Sequence, residues 1–506
     1  MEGRRARRRP PSADSIWWLV LVAGAFTCAQ LAFVVPHLGL SWDEVVYISQ
    51  ISRHAPAANF DPPRARGVSL IAAPVTTLTS SILTLRIYLA VASGAGLFLA
   101  LLAWRSLRPA WILALAGVCY GSLWTAQYYG PQAMPDGWVA FSVLAAVGLF
   151  LRAARRQENP AAGSGVLAGL AACLAIAALV RPGDALFIAA ALALAVLAVP
   201  RWRQASLLAA VALGFLAGAV EWVIEAYARY GGPLARLHAA AAEQGGFALH
   251  PGLWDELRAL NGPTLCRPCA VSLRYPEIGV WWLALPLIVA AGLLAARRAG
   301  RLASAMLAAG CGFAAAFQYL FLLNYAAPRF LLPAYALLAI PAADALAFVL
   351  TGAVTAAPAP SASGPGRAGG AGQAGLRPAG VMVVAAALLV QLAVQHVVLT
   401  HQVQEKVGYF GTFPKIAAEL HRLGVRPPCL IKGRQDVPIA YYTGCASAPK
   451  IATVLRTRPT EPVVLLVRRG EAPPNPARGW KRHALPGSNT TLLRVTAYVS
   501  SGSAQR

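Results

Sequence analysis

Eleven apolar runs organise the chain, at about residues 16–36, 82–103, 110–127, 136–152, 164–180, 184–200, 205–222, 279–296, 303–324, 330–350 and 380–400. An α-helix rises about 1.5 Å per residue against a hydrocarbon core about 30 Å thick, so these runs predict about eleven membrane-spanning helices. The stretch from 164 to 200 is interrupted by Arg181-Pro182-Gly183-Asp184. A proline and a charged turn divide it into two spans. Residues 67–80, with Gly67 and Pro74 followed by Thr and Ser, are too broken for a span and predict an interfacial or partly inserted helix. The runs are rich in Ala and Gly, which suits helices packed closely against each other.

Two segments depart from the apolar pattern. Residues 351–379 are rich in Ala, Gly, Pro and Ser and nearly uncharged, the composition of a disordered linker. From about 401 to 506 the chain reads as an ordinary soluble domain. An amphipathic helix from Phe413 to Leu423 precedes strand-like runs at Cys429–Ile431, Val463–Val467 and Thr491–Val495. That order predicts a small α/β domain. It holds no glycine-rich phosphate loop, zinc cluster or Ser/His/Asp set, so no chemistry is assigned to it.

Charge sets the orientation. The chain carries 44 Lys and Arg against 20 Asp and Glu, yet only 13% of residues are charged and 57% are hydrophobic. The basic residues fall in short clusters between apolar runs. They read as topology determinants and argue against a nucleic-acid surface. With the basic residues 1–15 in the cytosol, the Arg105/Arg108, Arg152/Arg155/Arg156, Arg201/Arg203 and Arg297/Arg298/Arg301 loops and the linker fall inside. Loops 37–81 and 223–278 and the domain 401–506 fall outside. The expected location is the plasma membrane, the first run acting as an uncleaved anchor. Cys28, Cys119, Cys173 and Cys311 fall within spans as small apolar fillers. Cys266/Cys269 and Cys429/Cys445 fall outside, where paired cysteines predict disulfides; Cys266-x-x-Cys269 alone also has metal or redox spacing.

The candidate chemistry gathers on that outer face. Asp43 and Glu44 follow the first span, Asp136 opens the fourth, Arg181 and Asp184 mark the break before the sixth, and Arg329 stands at the mouth of the tenth. Each has a plain alternative: a solvated turn for the acid pair, a helix N-cap for Asp136, an ion pair for Arg181 and Asp184, and snorkelling for Arg329.

This arrangement resembles the C-type (GT-C) membrane glycosyltransferases, which include protein O-mannosyltransferases and the lipid A aminoarabinose transferase. The similarity lies in Trp42-Asp43-Glu44-Val45-Val46-Tyr47, Pro135-Asp136-Gly137, Arg181-Pro182 and Arg329-Phe330-Leu331-Leu332-Pro333, and in their order and spacing over roughly residues 15–350. Pro62-Pro63-Arg64-Ala65-Arg66-Gly67 stands where such enzymes often have a basic-Pro-Pro-Leu sequence. The resemblance implies transfer of a sugar from a polyprenyl-phosphate donor to a hydroxyl of a lipid, glycan or protein, with inversion. It implies Asp43 as general base, Glu44 and Asp136 positioning the acceptor or a divalent cation, and Arg329, Arg181 and Arg66 binding the donor phosphate. A transporter or lipid flippase, or a cell-wall polysaccharide polymerase or ligase, is the alternative. Transporter folds often show repeated halves, and no internal repeat is visible.

Overall fold

The apolar runs fold as helices in the computed structural model, which describes residues 14–155, 164–246, 248–273, 275–352, 377–447, 461–486 and 495–500. In chain order the helices are α1 (Trp17–Phe33), α2 (Trp42–Ile48), α3 (Gly67–Thr76), α4 (Ile82–Leu102), α5 (Ala110–Gly121), α6 (Trp124–Tyr129), α7 (Pro135–Ala154), α8 (Ser164–Val180), α9 (Pro182–Ala198), α10 (Ala205–Tyr230), α11 (Pro233–Gln244), α12 (Leu253–Ala259), α13 (Ile278–Arg298), α14 (Leu302–Phe321), α15 (Leu332–Thr351), α16 (Pro378–Phe410), α17 (Thr412–Arg422) and α18 (Asp436–Thr443).

Among the described residues, α4, α7, α10, α13, α14, α15 and the continuous α16–α17 segment are long and apolar enough to cross a bilayer. The other four predicted spans coincide with the shorter helices α1, α5, α8 and α9. Helix α5 has 12 residues, a rise of only about 18 Å, and its run continues through α6 after a bend at Ser122–Leu123. The break at Arg181-Pro182 separates α8 from α9 as expected, with proline at the first position of the new helix. Residues 67–80 form the short α3 with Pro74 inside it.

Close packing follows from small residues. Gly214 and Gly218 of α10 lie against the backbone of Ala171 and Ala175 in α8; a Cβ on Gly218 would stand 2.0 Å from the Ala175 carbonyl oxygen. This is a small-xxx-small seam. Elsewhere, Arg108 Nη2 meets Asp344 Oδ2 at 2.7 Å and Arg301 Nη2 lies 3.4 Å from Asp344 Oδ1, joining the starts of α5 and α14 to α15 through a buried carboxylate.

The expected linker, 351–379, lies largely outside the described residues. Helix α16 resumes at Pro378 and runs for 33 residues, about 50 Å, so it extends well past the span expected at 380–400. The domain after it has a five-stranded sheet of β1 (Leu430–Gly433), β2 (Ala446–Ser447), β3 (Val463–Arg468), β4 (Lys481–Ala484) and β5 (Val495–Val499), in the order β2-β1-β3-β5-β4. Strand β1 pairs in parallel with β2 and β3, while β5 is antiparallel to β3 and β4. The last strand begins at Val495; 491–494 lie outside the described residues. Cys429 and Cys445 are disulfide-bonded with Cα atoms 4.8 Å apart, and Cys266 and Cys269 are bonded at 4.6 Å. The four remaining cysteines are free.

Candidate active site

Helix α2 is short, and its first turn decides which acid faces which way. Ser41 is the N-cap, its hydroxyl accepts from Glu44 N, and the Glu44 carboxylate accepts from Ser41 N at 3.0 Å, a reciprocal capping box. Successive helical residues are about 100° apart. Glu44 therefore turns inward while Asp43 turns toward Arg64 and Arg329. Glu44 is 0% exposed. Its Oε2 accepts from Arg86 Nη2 at 2.8 Å, and its Oε1 accepts from Ala133 N at 2.9 Å and contacts Arg86 Nη1. Arg86 also donates to the carbonyls of Leu38, Gly39 and Pro131. Glu44 thus has no oxygen free for an acceptor or an ion, contrary to the role expected from its motif. It joins α2 to α4 and to the loop before α7.

Asp43 keeps 27% of its side chain exposed and carries two arginines: Arg64 Nη2 at 2.7 Å on Oδ1 and Arg329 Nη2 at 3.1 Å on Oδ2. Arg329 Nε lies 3.2 Å from Asp136 Oδ2, near enough to pair but out of line for a hydrogen bond. Asp136, 0% exposed in the first turn of α7, holds Arg181 through Oδ1. Arg181 Nε lies 3.6 Å from Asp184 Oδ1, which accepts from Gln318 and Tyr319 of α14. The result is an alternating ladder: Arg64, Asp43, Arg329, Asp136, Arg181, Asp184. The ring of Phe330 lies beside two of its cations, 4.9 Å from Arg181 Cζ and 5.2 Å from Arg329 Cζ.

The ladder joins four separate stretches of the chain: α2 with the loop after it, the start of α7, the junction of α8 and α9, and the segment before α15. Arg329 is fixed by the segment before α15, which pairs with the long loop between α10 and α13: Cys266 N donates to Ala326 O at 2.9 Å, and Arg329 Nη1 to Thr264 O at 3.4 Å. The Cys266–Cys269 bridge therefore sits one short β-bridge from a cation of the site.

Burial alone would raise the Asp43 carboxyl, but the fields of Arg64, Arg329 and Arg181 outweigh it and hold it at about 2. Asp43 in turn pushes Arg64 and Arg329 upward against the opposing effect of burial, with Asp136 adding to the rise at Arg329. The folded pKa of Asp43 lies below the ordinary value near 3.9. Its contribution to stability is therefore fully present above about pH 4 and is lost as pH falls toward 2. Thermal unfolding in detergent from pH 5 to pH 2 should show a decline that is smaller in Asp43→Asn.

Of the expected donor-phosphate residues, Arg329 and Arg181 stand in the ladder and Arg66 does not. Arg66 donates to Glu225 Oε1 at 2.6 Å and lies 3.5 Å from Glu221, in an open pocket of about 500 Å³ along α10. Glu225 is shared with Arg236 at 2.9 Å, whose other hydrogens go to the carbonyls of Pro62, Arg64 and Trp222. Arg66 therefore braces the loop that presents Arg64. Sequence reasoning passed over Arg64 as a member of this site and named Asp184 only as an ion-pair partner of Arg181; two arginines at i and i+2 in one proline-rich loop give no sign of which one faces the acids.

The donor set does not fit a divalent cation. A guanidinium stands between the Asp43 and Asp136 carboxylates, and the described residues contain no group of three or more His, Cys, Asp or Glu side chains arranged to hold an ion.

A lipid-facing groove of about 450 Å³ runs between α9 and α14, lined by Phe187, Leu194, Met306, Phe313 and Phe317. Phe187 lies one turn after Asp184, and Phe317 immediately precedes Gln318. The groove and the end of the ladder are thus built on the same two helices.

No protein-family model and no curated protein matches the sequence. Solved structures do. The crystal structure of ArnT from Cupriavidus metallidurans bound to undecaprenyl phosphate superposes with a TM-score of 0.62 at 14% identity, covering 96% of this chain and 99% of that one. The fold is that of the C-type glycosyltransferases. The apo form of the same ArnT gives 0.62 at 13% identity over 96% and 98%. The archaeal oligosaccharyltransferase AglB from Archaeoglobus fulgidus, in complex with an inhibitory peptide and a dolichol-phosphate, gives 0.50 at 13% identity over 89% and 69%. Within this GT-C fold, the ladder and the aromatic groove are the features that bear on chemistry.

Proposed function

We propose that the protein is a membrane glycosyltransferase that moves a sugar from a polyprenyl-phosphate donor to an acceptor hydroxyl on the outer membrane face. The observation that carries this reading is Arg329 standing between Asp43 and Asp136, in a ladder whose far end, Asp184, is built on the same two helices, α9 and α14, as an aromatic groove. The groove suits an isoprenoid chain, and the two arginines suit the phosphate at its end. That ArnT was solved with undecaprenyl phosphate and AglB with a dolichol-phosphate supports the same class of ligand.

In the step proposed, the acceptor oxygen attacks the anomeric carbon from the face opposite the phosphate. The carbon–oxygen bond to phosphate breaks, its electron pair stays on the phosphate, and the acceptor proton passes to Asp43. The anomeric centre inverts once. Arg329 and Arg181 stabilise the charge that develops on the leaving phosphate. A carboxylate at about 2 is a weak base. A donor phosphate that draws Arg329 to itself removes one of the cations that quench Asp43, so donor binding and base activation are coupled.

The test is to incubate purified protein with labelled polyprenyl-phosphate sugars and follow release of the label from the lipid. Release into a new covalent product supports transfer. Passage of intact lipid across a vesicle, without bond cleavage, supports the flippase alternative. Arg329→Ala should weaken competition by sugar-free polyprenyl phosphate by about 10- to 100-fold, the cost of one charge-assisted contact set. Arg329→Lys should recover only part, because lysine cannot span two partners with a planar fork. Unchanged competition in both variants would remove Arg329 from the donor site.

A further inference from the structure

Helix α2, seven residues long, is too short to hold its own position in water. Its placement, and with it the aim of Asp43, rests on contacts at its two ends. One set comes from the membrane helices: Arg86 on Glu44, and Ser69 Oγ donating to Tyr47 O at 2.7 Å. The other set comes from the C-terminal domain, through two consecutive tyrosines of α18. The Tyr442 hydroxyl accepts from Leu40 N at 3.3 Å, immediately before the Ser41 cap. The Tyr441 hydroxyl lies 3.2 Å from Ser52 Oγ, just past the end of α2. The Tyr441 ring also meets His54 edge-on at 5.3 Å.

Helix α18 is itself fixed. Its last residue, Thr443, offers its carbonyl to His421 of α17 at 3.0 Å, and Cys445, two residues on, is bonded to Cys429 at the head of β1. The end of α16 presses on the same segment: a Cβ on Gly39 would stand 2.9 Å from Phe410 Cβ. A short helix carrying a site carboxylate is therefore gripped at both ends by one rigid element of a different domain.

Resting on the transferase reading above, we propose that the C-terminal domain is a positioning module for Asp43, acting through Tyr441 and Tyr442. The two tyrosines do not touch the reacting atoms. They fix the distance of Asp43 from Arg329, and hence from an acceptor placed against the donor. This assigns work to a domain in which no chemistry is legible.

The experiment uses the full-length protein with Tyr441→Phe and Tyr442→Phe combined, which keeps both rings and removes both hydroxyls. Formation of the Cys429–Cys445 bond checks that the domain is folded. Where that bond fails, Ser52→Ala removes the partner of Tyr441 without touching the domain and carries the same expectations. In an Asp43→Cys background, alkylation by a membrane-impermeant maleimide reports how firmly α2 is held. The tyrosine pair should raise that rate several-fold, and an unchanged rate overturns the anchor whatever reaction the protein performs. In transfer, kcat should fall about 10- to 100-fold, as for a misplaced reacting group, with competition by polyprenyl phosphate unchanged. Added to Asp43→Asn, the same pair should cost nothing more, because residues acting through one group are not additive. A full additional loss in that background overturns action through Asp43. Absence of transfer from every lipid-linked sugar, with the alkylation difference intact, would count against the transferase reading and leave the anchor standing.

Discussion

Asp43→Asn is expected to lower transfer by about 10²- to 10⁴-fold, the range for losing a general base, while competition by polyprenyl phosphate stays within a few-fold of wild type. Asparagine keeps the shape and one acceptor oxygen, so one of Arg64 and Arg329, which sit on different oxygens of Asp43, retains a partner at that position. The basic lone pair and the charge are lost. The fold should survive, because the cap of α2 is made by Ser41 and Glu44 and owes nothing to Asp43. Measured kcat in detergent or nanodiscs, beside a thermal-unfolding control, decides the matter. A variant that keeps more than about a third of wild-type kcat would mean that proton removal is not what Asp43 contributes.

Arg86→Ala is expected to be the most damaging change to stability in this region, at about 3–5 kcal/mol, the cost of breaking a fully buried ion pair from one side. Arg86 and Glu44 are both 0% exposed. Removing the guanidinium strands a buried carboxylate and leaves the carbonyls of Leu38, Gly39 and Pro131 without a donor. The pair replaced together, as Arg86→Met with Glu44→Leu, should recover much of the loss, because no charge then remains unpaired. Unfolding temperature in detergent measures both. A single Arg86→Ala that costs less than about 1 kcal/mol would show that water reaches the pair.

Periodicity and length made most of the helical fold legible. The runs from 82 to 103 and from 330 to 350 are helices because their apolar length outweighs single interruptions such as Pro341 within α15. What sequence could not resolve was the direction of neighbouring side chains. Asp43 and Glu44 read as one acidic pair, yet Ser41 three residues before Glu44 is a capping signature that separates them into a partly exposed acid facing two arginines and a buried one. Arg66 and Arg64 present the mirror case, because their partners, Glu225 and Asp43, come from distant parts of the chain and no local rule names them. In the C-terminal domain the amphipathic helix and the apolar β3 were readable. Helix α18 was not: its eight residues include a proline and two tyrosines and carry no helical stripe.

The ladder of three acids and three arginines is an occupied lock. Each guanidinium that could greet a phosphate already has a resident carboxylate, so an incoming ligand must evict a tenant before it gains a contact. A small anion such as chloride offers a single point of attraction and has little with which to displace a two-oxygen carboxylate. A neutral lipid offers less. A phosphate would bring several acceptor oxygens at once, and on the function proposed above a tail seated in the groove would keep it near long enough to exchange. The site therefore trades raw affinity for resistance to the salt and the other lipids that surround it. Its empty state needs no counter-ion of its own.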